Sequence, residues 1–82
     1  MKIKFASDIL KITFEENEPF GGRSLVISGE VINHGFSAIV STMNWLSPGK
    51  REPLSANEKA LVSKLIQDYN KGSKFFVDLD EK

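Results

Sequence analysis

The sequence predicts an α+β domain: one antiparallel sheet of about five strands with a single amphipathic helix packed on one face, in the order β-β-β-β-α-β. Three observations carry that expectation. Apolar and polar residues alternate through most of positions 2–43 and again over 74–80, the period of a half-buried strand. Between these stretches, residues 55–72 change to helical spacing and open on a capping box. The chain has 82 residues and no Cys, so one core must hold it without disulfides, which fits a single domain over 1–82.

The first strand is KIKFAS, with Ile3 and Phe5 on one face and Lys2 and Lys4 on the other. In ILKITFEE, Leu10, Ile12 and Phe14 oppose Lys11, Thr13 and Glu15. Only Ser7 and Asp8 separate the two runs, so they form a hairpin or, given those turn residues, one bent strand. NEPFGGR concentrates Pro, Asn and a Gly pair and reads as a loop. Its glycines lack the spacing and the Lys-Ser/Thr ending of a phosphate-binding loop. SLVISGEVI is a third strand and FSAIVSTM a fourth, joined by Asn33-His34-Gly35 with Gly35 expected in the left-handed conformation. Gly29 within the third strand marks a bulge or a close contact.

The helix begins where the Ser55 hydroxyl can accept from the Glu58 amide and the Glu58 carboxylate from the Ser55 amide. Leu61, Val62, Leu65, Ile66 and Tyr69 then form one apolar stripe, and Gly72 ends it, with Lys71 at the negative end of the dipole. KFFVDLD closes the chain as a fifth strand, with Phe75, Val77 and Leu79 opposite Phe76, Asp78 and Asp80. One helix leaves one face of such a sheet uncovered. Val26, Ile32, Ile39, Met43, Trp45 and Phe76 therefore either form an exposed apolar patch or are buried by strand twist.

Composition limits the functions available. Eleven basic and eleven acidic residues give zero net charge, which argues against nucleic acid as a partner. MKIKFASDILKITF alternates and carries charge where a secretory h-region would be continuously apolar, so a cytoplasmic, membrane-free protein is expected. With one His and no Cys, a nucleophile with its base, or a zinc site, has too few groups to assemble. His34, at a predicted hairpin tip, reads as a turn residue. Asp78, Asp80 and Glu81 lack EF-hand spacing. A chain without catalysis, metal or cofactor is expected.

NWLSPGKREP, residues 44–53, leaves two readings of Trp45 open. The indole closes one end of the core, or Trp45 and Arg51 anchor a protein partner, since both residue types are enriched in binding hot spots.

Several features together resemble the small α+β immunity proteins encoded beside bacterial polymorphic and contact-dependent toxins. They are Gly29-Glu30 after a strand, Trp45 followed by Pro48, the Ser55/Glu58/Lys59 helix opening, and a short terminal strand ending in acid. The resemblance implies a protein that binds one cognate toxin and blocks it, without cofactor or catalysis. Against a cationic nuclease groove, the acidic residues Glu15, Glu16, Glu18, Asp78 and Asp80 would form the contact, provided that they cluster. The alternative is a structural or homo-oligomeric adaptor that dimerises through an apolar patch at Met43, Trp45 and Phe76.

Overall fold

The structure, a computed structural model, describes residues 1–81. Strands β1 (Lys2–Ala6) and β2 (Ile9–Thr13) pair antiparallel, Ile3 facing Ile12 and Phe5 facing Leu10. They form the hairpin rather than one bent strand. Neither Ser7 nor Asp8 takes a positive φ, so the connection does without a primed turn. Strand β3 (Ser24–Ile32) is the spine of the sheet. Its first half pairs with β2, Leu25 facing Ile12, and its second half pairs with β4 (Gly35–Ile39). Strand β5 (Asn44–Ser47) joins β3 at Leu25 and Val26 and is followed by β6 (Lys50–Pro53). Helix α1 (Ala56–Gly72) then returns the chain to β7 (Phe76–Asp80), which lies parallel to β4.

The class is α+β with one α-helix, and the sheet among the described residues has seven strands and is mixed. The expected five antiparallel strands therefore need three corrections. FSAIVSTM is not one strand, because a 3₁₀ turn at Val40–Thr42 divides it. Gly29 faces Ala38 while Val26 faces Asn44, so three steps along β3 answer six along its neighbour. The surplus is that turn, and Val40 and Met43, three apart, are both buried by it. The Thr42 hydroxyl bridges the gap in the ladder, accepting from the Ser28 amide at 2.9 Å and donating to the Ile39 carbonyl at 2.6 Å.

The second correction is LSPGKREP, a hairpin rather than a loop. Pro48 and Gly49 (φ 79°) have the signature of a type II turn, with Ser47 facing Lys50. Strand β6 is short, charged and ends in Pro, features that suit an exposed edge and hide it from pattern reading. The third is the direction of β7, which follows from α1 crossing the sheet before the chain re-enters it.

The β3–β4 turn also differs from expectation. His34, not Gly35, is left-handed, with φ 67°. Gly35 is required for space instead: a Cβ there would run into the Phe76 carbonyl. Gly29 is a close contact of the same kind, against the Ser37 carbonyl and the Phe36 ring.

The core lies between one sheet face and α1. Leu10, Ile12, Leu25, Ile27, Phe36 and Val77 meet Val62 and Ile66 there. The helix stripe is narrower than its sequence suggests, with Leu61 39% exposed and Leu65 and Tyr69 half-buried. The capping box forms as expected, with Glu58 N to Ser55 Oγ at 3.1 Å and Ser55 N to Glu58 Oε1 at 2.8 Å. At the other end Gly72 is the last helical residue, and extended Ser73 replaces a left-handed cap.

Candidate functional site: the uncovered face of the sheet

Strand register decides what the face opposite α1 presents. Since Ile3, Phe5, Leu10, Ile12 and Leu25 stand on the helix side, Lys2 and Lys4 of β1 and Lys11 of β2 stand on the other, Lys4 facing Lys11. Along the second half of β3, Val31 faces buried Phe36 on the helix side, so Glu30 and its partner Ser37 project outward. Ser37 faces Asp78 and Ile39 faces Asp80 on the same side. The face thus carries lysines at its β1–β2 corner and carboxylates towards β7.

The carboxylate end is concave. Asp8, Ser28, Gly29, Glu30, Ser37, Ile39 and Asp80 enclose an open depression of about 440 Å³. Gly29 is part of its lining, and its amide donates to the Asp8 carbonyl at 3.1 Å. That hydrogen bond holds the β1–β2 turn, and with it Asp8, beside Gly29 of β3.

The five acidic residues proposed from sequence do not form one surface. Asp78 and Asp80 share the uncovered face, but Glu15, Glu16 and Glu18 belong to the Phe14–Arg23 loop at the far end of β2 from Asp8. A strand of that length separates the two groups by on the order of 20 Å. Glu18 is committed to the loop: its Oε1 accepts from the Glu15 amide at 2.8 Å and pairs with the Met1 ammonium at 2.6 Å. The ammonium first, and then the Glu15 amide, holds the Glu18 carboxyl below its ordinary value against a smaller effect of desolvation. Glu15 and Glu16 are exposed. Asp8 and Glu30 complete the acidic depression and were missed as site residues. Register alone could have placed Glu30 beside Asp78 once Gly35 was aligned with Phe76.

Trp45 is core. It is 2% exposed and packs against Phe14 and Phe20 at ring-centroid distances of 6.3 and 5.0 Å. The Arg23 guanidinium covers its outer face, Cζ lying 3.9 Å from the ring centroid. Arg51 stands one step along the β5–β6 pair and faces Leu46, on the opposite side of the sheet from Trp45. The two do not make a joint anchor. Met43 is fully buried as well, so the apolar patch expected at Met43, Trp45 and Phe76 reduces to Phe76, 48% exposed beside Ile32 at 37%. Val26 is 6% exposed and Ile39 half-buried, so twist and neighbouring strands bury part of that set and leave the rest open.

His34 is exposed at the β3–β4 turn, where its carbonyl accepts from the Phe76 amide at 2.9 Å. Among the described residues no three His, Cys, Asp or Glu side chains are grouped to hold a metal ion, and no helix is long and apolar enough to cross a membrane. The face offers segregated charge, backbone-lined concavity and a few apolar side chains, the means of recognising another surface. Compared with protein-family models, curated proteins and solved structures, the chain finds no match.

Proposed function

We propose that this chain is a non-enzymatic protein-binding module, an immunity protein that neutralises a cognate bacterial toxin in the cytoplasm. Its working surface in this reading is the uncovered sheet face, and the partner presents a cationic projection to the depression between Asp8, Glu30 and Asp80. The observation that carries the reading is this depression, in which acidic residues from the β1–β2 turn, β3 and β7 line one concavity. The sequence resemblance to immunity proteins supplies the kind of partner.

The test is capture of a partner from the source cell's lysate with tagged chain, followed by mass spectrometry after a salt wash. The expected result is one stoichiometric protein carrying a toxin domain. Asp8→Lys with Glu30→Lys, both lining the depression, is expected to weaken its retention at least tenfold, whereas Glu15→Lys with Glu16→Lys, on the distant loop, leaves it within about twofold. Retention unaffected by the first pair would remove the depression from the binding surface. Recovery of the chain alone would remove the immunity reading.

A further inference from the structure

We propose that the uncovered face is self-complementary and closes two copies of this chain into a two-fold dimer. The interface is formed by the Lys2, Lys4 and Lys11 corner of each copy against the Glu30 and Asp78 corner of the other.

The charge layout leads to this. The three lysines are exposed at the β1–β2 corner, and Glu30 and Asp78 are exposed at the diagonally opposite corner, towards β4 and β7. None of these five takes part in an ion pair among the described residues; the pairs present involve Glu18, Arg23, Lys50 and Lys71. Among the described residues, one face thus holds a basic group towards one corner and the acidic pair Glu30 and Asp78 towards the opposite one, with exposed Arg51 lying outside both. Between them lie Ala6, Ile9 and Ile39 together with Ser28 and Ser37, and Val26 is buried, so the middle of the face mixes apolar and hydroxyl side chains.

Symmetry makes the arrangement specific for a second copy. A two-fold axis lying in the plane of the interface, across the line joining the corners, places each basic corner over the partner's acidic one. Both contacts form at once, and an isologous contact of this kind stops at two copies. The longer extents of the molecule are 32 and 25 Å, so a whole face offers on the order of 800 Å² per copy, the size of a standard specific interface. The inference goes beyond the immunity reading but uses the same face, so a toxin and a second copy exclude one another there; its test needs no toxin, so the dimer can fail while toxin capture succeeds, and the reverse.

Sedimentation equilibrium of the purified chain, from micromolar to millimolar, tests it. The expected result is a dimer at low salt whose dissociation constant rises at least tenfold in molar salt, where screening shortens to a few ångströms, about 3 Å. Lys4→Glu with Lys11→Glu makes both corners acidic, and Glu30→Lys with Asp78→Lys makes both basic. Each double variant alone is expected to be monomeric with a wild-type circular dichroism spectrum, and an equimolar mixture of the two to associate one to one. A wild-type chain that stays monomeric at millimolar concentration in low salt would overturn the proposal. So would folded variants that dimerise alone or fail to associate when mixed. The wild-type salt series uses no substitution, so an unfolded variant does not shield the proposal.

Discussion

Arg23 seals Trp45 where an apolar side chain would be the simpler choice. Its guanidinium carbon sits 3.9 Å over the indole centroid, while the side chain remains 44% exposed and comes within 3.9 Å of Glu58 Oε2. The indole Nε1–H has no hydrogen-bond partner at acceptable geometry. It nevertheless lies near enough to the Glu58 carboxylate to help lower that group's pKa, after the larger effect of the Ser55 amide. Phe20 completes the cover from a left-handed backbone, φ 62°, which a bulky residue adopts only when packing holds it there. Glycines give the sharpest prediction at this scale. Gly29→Ala is expected to cost at least about 2 kcal/mol, because its methyl meets a backbone carbonyl that cannot turn aside. Gly72→Ala, with nothing near its Cβ, is expected to gain about 0.5 kcal/mol through helix propensity. Chemical denaturation of the two variants checks both signs. The special role of Gly29 was legible as an isolated glycine in a strand pattern; that of Phe20 was not, since nothing in NEPFGGR separates a packed ring from an exposed one.

Helix α1 was legible almost to the residue, because the capping box and the 3.6-residue period are local signals. How it holds β7 was not. Asn70 reads as an ordinary polar residue late in a helix, yet its amide grips the backbone of Val77 twice, Nδ2 donating to the carbonyl and Oδ1 accepting from the amide, each at 2.8 Å. It acts on β7 as a neighbouring strand would at that position and joins helix to sheet. Asn70→Ala is expected to cost about 2 kcal/mol, the loss of two part-buried hydrogen bonds with their backbone partners left behind. Asn70→Asp keeps the acceptor but loses the donor, and is expected to cost at least as much. Thermal melts rank the variants, and hydrogen exchange at the Val77 amide should accelerate in Asn70→Ala while the Ile12 amide in β2 is less affected. The break at Val40–Thr42 was hidden because no Gly or Pro marks it within FSAIVSTM.

Across the whole molecule, alternation revealed the strands and the single helix, so the class was legible. Pairing was not, because parallel and antiparallel partners share the same alternation, and only the register shows which charges meet. The opposed corners of the uncovered face became visible only when β7 was set beside β4. Acid stability is also a property of this scale, since it sums carboxylates in separate elements. Glu18 and Glu58 both titrate below the ordinary 4.5, so the fold favours their ionised forms. Their contribution is complete above that value and is lost as pH falls through the lower folded values. Wild-type melting temperature is therefore expected to fall more steeply between about pH 5 and 3 than that of Glu18→Gln with Glu58→Gln, as followed by circular dichroism.

The parallel pair of β4 and β7 has a consequence for synthesis. Each of β1 to β4 can find its antiparallel partner soon after it leaves the ribosome, but Gly35 must wait for Phe76, about forty residues later. Until then the outer edge of β4 is an open row of amides and carbonyls, the kind of template on which nascent chains stick to one another. A chain truncated before Phe76 keeps that edge permanently, and aggregation during expression is its expected fate.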